Sequence, residues 1–228
     1  MKLSTLKSCF WFLSLSLMMA SADASVIVVD DFDDGTIDLE ANSVIRSATL
    51  LDQATASAIG GFRDTGVQLV SEFLSARAQA NPIPGVIAFS SASASTGVFE
   101  LIYDGFEFGG LGGVDLTDAG SNKQILVDFI SADHGAELSV ELRDTDGNFF
   151  IGQIELTEDP GLVGFKLSDF TGVDTTSIDA IAVVVHGDPE GDYVIDAIYA
   201  AIPEPSTIMI WSLMAVGMAF YVRRNRAS

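Results

Sequence analysis

The sequence predicts an all-β protein, a two-sheet β-sandwich or jelly roll, set between an N-terminal signal helix and a C-terminal single transmembrane helix. Three observations predict the sandwich. Apolar residues recur at every second position over short runs, which is the period of a half-buried strand. Gly, Asp, Asn and Pro separate the runs, as turns require. No stretch of the middle region sustains a 3.6-residue period, and about ten or eleven short strands pack most simply as two sheets.

Residues 26–29, 44–51, 67–70 and 86–89 are short strand candidates, followed by 98–103 and 124–130. Residues 137–143 alternate most cleanly: Leu138, Val140 and Leu142 point one way, and Glu137, Ser139, Glu141 and Arg143 the other. One face of that strand is buried and one is wet. Residues 149–156, 164–167, 178–186 and 193–200 complete the set, and Ile181-Ala182-Val183-Val184-Val185, apolar on both faces, suits a central strand. Residues 72–80 are the one expected helix, ending before a loop at Asn81-Pro82-Ile83-Pro84. Ser90-Ser91-Ala92-Ser93-Ala94-Ser95 reads as a strand edge or flexible loop, and Gly109-Gly110-Leu111-Gly112-Gly113 as a mobile connector.

The ends have a different character. Lys2 and Lys7 precede an uncharged run, 9–20, and small residues ending Ala22-Asp23-Ala24, the three-part pattern of a secretory signal peptide over 1–24. Cleavage after Ala24 is preferred, and cleavage after Ala22 also satisfies the small-residue rule. Cys9, the only cysteine, would leave with the signal, so the mature chain would carry no disulfide and no thiolate nucleophile or metal ligand.

At the other end, Pro203-Glu204-Pro205 breaks any helix, the uncharged run 207–222 follows, and Arg223, Arg224 and Arg226 close the chain. The 16 residues of that run rise about 24 Å, slightly under a hydrocarbon thickness of about 30 Å, which Trp211, Tyr221 and snorkelling arginines make workable. The basic cluster should stay in the cytoplasm and place the domain, 25–201, outside.

This tail resembles the PEP-CTERM sorting signal of exported bacterial proteins over 202–228: the motif at 203–205, a short transmembrane helix at 207–222 and a basic tail at 223–228. The resemblance implies recognition by an exosortase, a membrane-embedded cysteine protease-transpeptidase. It also implies an inner-membrane-anchored precursor with its domain in the periplasm, then processing and delivery to the cell surface or extracellular matrix. The chain would be that enzyme's substrate.

Of 228 residues, 32 are acidic and 11 basic, a charge of −21, while 48% are apolar. The apolar share excludes an acidic disordered tail, and the charge argues against a nucleic-acid partner. Setting aside Lys2, Lys7 and the three C-terminal arginines, and Asp23 and Glu204 among the acids, leaves the middle 178 residues with 30 acids against 6 bases, or −24. Such a domain gains from divalent counterions.

Asp30-Asp31-Phe32-Asp33 after the first strand, Gly60-Gly61-Phe62-Arg63-Asp64, Tyr103-Asp104-Gly105, Gly113-Val114-Asp115-Leu116-Thr117, 165–170 and Ile195-Asp196-Ala197-Ile198 resemble the galactose-binding-like and carbohydrate-binding-module jelly rolls. There the last strand returns beside the first. The resemblance implies one cofactor candidate, structural calcium held by Asp31, Asp33 and Asp196; the alternation that sets Asp196 among Val194 and Ile198 favours a paired or metal-bound carboxylate. Asp144-Thr145-Asp146-Gly147-Asn148 has the look of a calcium loop but carries its glycine at the fourth place, and a hairpin turn is the better reading.

Catalysis has little support. His134 and His186 are the only histidines, too few for a three-histidine zinc site, and no nucleophile elbow, zincin motif or phosphate loop occurs. No tryptophan falls within the domain, so Phe106 and Phe108, beside the glycine-rich loop, are the candidates for stacking on sugars. The leading expectation is an exported structural or interaction protein of the envelope or matrix, with membrane and exosortase as partners. The alternative is a carbohydrate-binding module with a polysaccharide partner, and a polysaccharide-active enzyme comes third.

Overall fold

The computed structural model describes residues 26–70, 85–93 and 95–202, and the backbone of 77–83. The signal segment with Ala22 and Ala24, the motif Pro203-Glu204-Pro205, the run 207–222 and Arg223, Arg224 and Arg226 lie outside the described residues. Among the described residues no helix is long and apolar enough to cross a membrane.

Among the described residues thirteen strands are present: β1 (Ile27–Asp30), β2 (Leu39–Asn42), β3 (Ser47–Ala54), β4 (Phe62–Leu69), β5 (Arg77–Ile83), β6 (Val86–Ser91), β7 (Gly97–Tyr103), β8 (Gln124–Ala132), β9 (Ala136–Asp144), β10 (Phe149–Leu156), β11 (Leu162–Lys166), β12 (Ile178–Gly187) and β13 (Asp192–Ala201). They form two antiparallel sheets. One has seven strands in the order β11-β8-β13-β6-β5-β2, with β1 also beside β13; the other has six, β10-β9-β12-β7-β4-β3. The first strand does meet the last, with Ile27 opposite Ala200.

The core is where the alternations meet. Leu138, Val140 and Leu142 are fully buried, as are Ile181, Val183 and Val185 of the central β12 and, in the facing sheet, Ile125, Val127 and Ile198. Burying each such side chain contributes about 1.5–3 kcal/mol. A stack of rings ties the two sheets, Phe99 of β7 against Phe89 of β6 at 5.5 Å and Phe89 against Tyr193 of β13 at 5.9 Å.

The turn at 144–148 is the expected hairpin, with Phe149 opposite Arg143. Its organiser is Asp144, whose carboxylate accepts from the amides of Asp146, Asn148 and Asp174 at 2.9–3.0 Å. The Asp174 amide and the Asn148 side chain hold that carboxyl below its ordinary pKa.

Three expectations fail. The helix expected over 72–80 is a strand from Arg77 onward, and the loop expected after it belongs to the same strand up to Ile83. Pairing with β2 and β6 overrides local propensity there, and Pro82 lies beyond the stretch that β2 covers, where β5 has a single partner and a proline is tolerated. The connector expected to be mobile at 109–113 is pinned instead. The Leu111 amide donates to the Asp179 carbonyl at 2.8 Å and the Gly110 amide to the Asp104 carbonyl at 2.6 Å. A Cβ on Gly110 would fall 2.1 Å from Asp179 Oδ1, so only glycine permits this approach.

Candidate functional site

The three carboxylates expected to hold calcium are not gathered. Asp31 is half-buried, Asp33 and Asp196 are exposed, and among the described residues no group of three or more His, Cys, Asp or Glu side chains is arranged to hold a metal. Asp196 faces outward next to the buried Ile195, and a bulge between Ile195 and Ala197 returns Ile198, not Asp196, to the core. The buried carboxylate beside the first and last strands is Asp30, and its counter-charge comes from the protein. Arg63 Nη1 lies 2.7 Å from Asp30 Oδ2, with the two side chains 1% and 0% exposed.

The rest of that network converges on the same pair. Asp30 accepts from the Tyr103 hydroxyl at 3.1 Å, the Ser57 hydroxyl at 2.9 Å and the Phe32 amide at 2.9 Å. Arg63 Nη2 donates to Gln53 Oε1 at 3.0 Å and reaches the carbonyls of Asp34 and Gly35 at 3.4 and 3.5 Å. The guanidinium also lies 5.4 Å from the Phe32 ring centroid. Burial and the Asp30 charge push the Tyr103 hydroxyl well above its ordinary pKa, so it stays a donor. Oxygens of the loop after β1 thus surround the Arg63 guanidinium.

Phe106 and Phe108 are exposed, at 54% and 66%, in a short 3-10 turn after β7. Phe106 packs on Phe62 of β4, ring centroids 5.2 Å apart, and the Glu107 amide donates to Asp52 at 2.7 Å. That turn overhangs one end of the outer face of the six-stranded sheet.

The register of β10, β9, β12, β7, β4 and β3 lays out this face as cross-strand rungs. One rung runs Ile151, Glu141, Ala182, Ile102, Asp64; the next Gln153, Ser139, Val184, Glu100, Gly66, Thr49; the third Glu155, Glu137, His186, Val98, Gln68, Ser47. The floor is low and apolar along Ala182, Ile102, Val184 and Val98, and carboxylates stand along it. A Cβ on Gly66 would sit 3.4 Å from Glu100 Oε2, so the Glu100 carboxylate lies across the space which that glycine leaves. The third rung opens into a recess of about 430 Å3 lined by Glu137, Glu155, His186 and Asp188. Phe149 and Ile151 on the edge strand β10 are exposed, at 62% and 45%.

The face is held short of cations. Arg143 approaches Asp179 at 3.9 Å, and His134 is engaged with Asp133 at 3.0 Å in the loop before β9. Burial, then the Glu141 charge, raises the Glu100 pKa, with His186 partly offsetting; burial and the Asp52 charge raise that of Asp64, and burial with the Asp64 charge that of Asp104. Glu155 and Glu137 stand directly opposite each other, a pairing that costs stability. Asp64 is buried and accepts from the Asp52 amide, whereas Glu100 and Glu141, half-buried side by side on an apolar floor, are a poor way to build a sheet and a serviceable way to meet hydroxyl donors. The sequence shows each of these side chains on a polar face, but only the strand order brings them into one place.

No family model matches the sequence, and no curated protein does. Solved structures to which the chain is similar include a family 11 carbohydrate-binding module from Clostridium thermocellum in complex with a β-1,3-1,4-mixed-linked tetrasaccharide, at 13% identity and a TM-score of 0.39, covering 80% of this chain and 98% of that one. A family 29 carbohydrate-binding module complexed with mannohexaose aligns at 7% identity and a TM-score of 0.37, over 79% of this chain and 93% of that one. An exo-β-agarase aligns at 13% identity and 0.40, over 69% of this chain and 25% of its own. What the face of this chain can bind rests on its own residues.

Proposed function

We propose that the sandwich is a non-catalytic carbohydrate-binding module of an exported protein, and that a polysaccharide lies along the outer face of the six-stranded sheet. The carrying observation is the apolar floor of Ala182, Ile102, Val184 and Val98 with Glu100 and Glu141 standing on it. The four strands β9, β12, β7 and β4, spaced about 4.8 Å apart, span about 14 Å between the outer two, which suits a chain of sugars better than one. C–H faces of the rings would cover the aliphatic floor, and ring hydroxyls would donate to the carboxylates in charge-assisted hydrogen bonds. Phe106 and Phe149 flank the trough and offer stacking surfaces. Full-length chain titrated with a panel of soluble neutral polysaccharides is expected to bind at least one, with Glu100→Ala and Glu141→Ala each weakening it about tenfold. Binding to none, or binding that both variants leave unchanged, would refute the face.

The sequence signals supply the setting. The domain would reach the periplasm by its signal peptide, be held by the helix at 207–222, and be processed near Pro203-Glu204-Pro205 by an exosortase, which makes it a matrix or surface component. Mass spectrometry of surface protein from exosortase-containing cells should find Arg223, Arg224 and Arg226 gone; their retention would exclude processing.

A further inference from the structure

A second recess, of about 540 Å3, lies where the loop before β8 meets the turn after β11 and the loop before β12; Thr117, Asn122, Lys123, Lys166, Ser168 and Thr176 are among its lining residues. It shares no lining residue with the carboxylate face. Two nearby acids, Asp115 and Asp174, are spent inside their own loops. Asp115 accepts from the amide and hydroxyl of Thr117 at 2.8 and 2.6 Å and from the Ala119 amide at 3.0 Å. Asp174 does the same for the amide and hydroxyl of Thr176, at 3.0 and 2.6 Å.

The polar groups that remain, on walls that are mostly apolar, are hydroxyl, amide and ammonium. Two of the six basic residues of this −24 domain meet here. Lys166 stands opposite Gln124 in the β11–β8 ladder, and the Leu167 amide donates to the Lys123 carbonyl at 2.9 Å, so the two lysines leave adjoining backbone. Lys123 Nζ donates to the Gly120 carbonyl, and neither lysine forms an ion pair among the described residues. The second observation is independent of charge. Asn122 is 1% exposed, yet neither its Oδ1 nor its Nδ2 has a partner. A buried amide left with donor and acceptor both unmet is costly, and a ligand that supplies one of each removes the cost.

We propose that this recess binds an acidic sugar, a uronic acid residue of an anionic polysaccharide. Its carboxylate is met by Lys123 and Lys166, and a ring hydroxyl pairs with the Asn122 amide once that side chain turns toward the recess. The protein then holds two sites of opposite charge, one for hydroxyl-rich neutral chains and one for a sugar acid.

Calorimetric titration of the full-length chain in detergent micelles with a galacturonic acid trimer tests this, beside the carboxyl-reduced neutral trimer and inorganic phosphate. The acidic trimer is expected to bind, the neutral one at least about tenfold more weakly, and Lys123→Gln and Lys166→Gln each to cost about tenfold. Asn122→Asp, which keeps the side-chain shape but repels a carboxylate, should abolish binding. Should that variant misfold, the two exposed lysine variants still decide. Glu100→Gln should leave trimer binding unchanged, which separates this site from the carboxylate face. No binding of the acidic trimer, equal binding of the neutral one that the two lysine variants weaken to the same degree, indifference to both lysine variants, or phosphate competing as well as the trimer itself would each overturn the proposal.

Discussion

Asp30 and Glu100 are both carboxylates of the same sandwich, and the protein treats them in opposite ways. Asp30 is fully buried and fully partnered, with a guanidinium, two hydroxyls and an amide closing around it. Glu100 is half-buried on an outer face, beside Glu141 and with only a histidine to offset it. A buried charge persists when every partner is present, so the first carboxylate belongs to the architecture. A half-buried charge with too few partners weakens the fold and leaves acceptors free, so the second belongs to recognition.

The largest effect that should separate the two comes from Arg63→Met. It leaves Asp30 charged, buried and short of its cation, and is expected to cost about 3–5 kcal/mol in urea unfolding. The double variant Asp30→Asn, Arg63→Met should recover part of that loss, because neutralising both partners is milder than orphaning one. A loss under about 1 kcal/mol for Arg63→Met would mean the pair is no better than a surface ion pair, and the contrast with Glu100 would fall.

How much of this was legible beforehand differs by level. Eleven of the thirteen strands follow from alternation, because a half-buried strand writes its geometry into every second residue. β2, Leu-Glu-Ala-Asn, is too short to show a period, and β5 exists because β2 and β6 flank it. The meeting of β1 with β13 was expected and occurs. Phe106 and Phe108, the sequence's candidates for stacking, are exposed. A sequence does not say which acid of Asp30-Asp31-Phe32-Asp33 turns inward, nor that Arg63 lies 33 positions away from Asp30 in sequence and 2.7 Å away in space. The carboxylate face was hidden for the same reason: Glu100, Glu141 and Asp64 sit on three strands, and their proximity depends on strand order and register. The proline motif and basic tail at the end of the chain depend on no such pairing, and they are legible as a linear pattern.

A smaller effect sharpens the other side of the comparison. Burial raises the Glu100 pKa above its ordinary 4.5, so the folded state takes up a proton more readily than the unfolded chain does. The carboxyl therefore weakens the fold at neutral pH, and the burden disappears as pH falls through the raised value toward 4.5. Glu100→Gln should raise Tm at pH 7 by on the order of 1–2 °C and leave it unchanged near pH 4. A lower Tm at pH 7 would show that Glu100 has a partner in the fold and would remove it from the recognition face.

The smallest expected effect tests what stands beside Asp30. A divalent ion bound only to the folded state would stabilise it in proportion to the logarithm of its saturation, and chelation would withdraw that stability. Here Asp30 Oδ2 and the carbonyls of Asp34 and Gly35 already face the Arg63 guanidinium, at 2.7, 3.4 and 3.5 Å. Two cations cannot share those oxygens without repelling each other. Chelator should leave the Tm of the wild-type chain unmoved. A drop would place a metal elsewhere on the acidic surface, and Arg63 would then supplement calcium instead of replacing it.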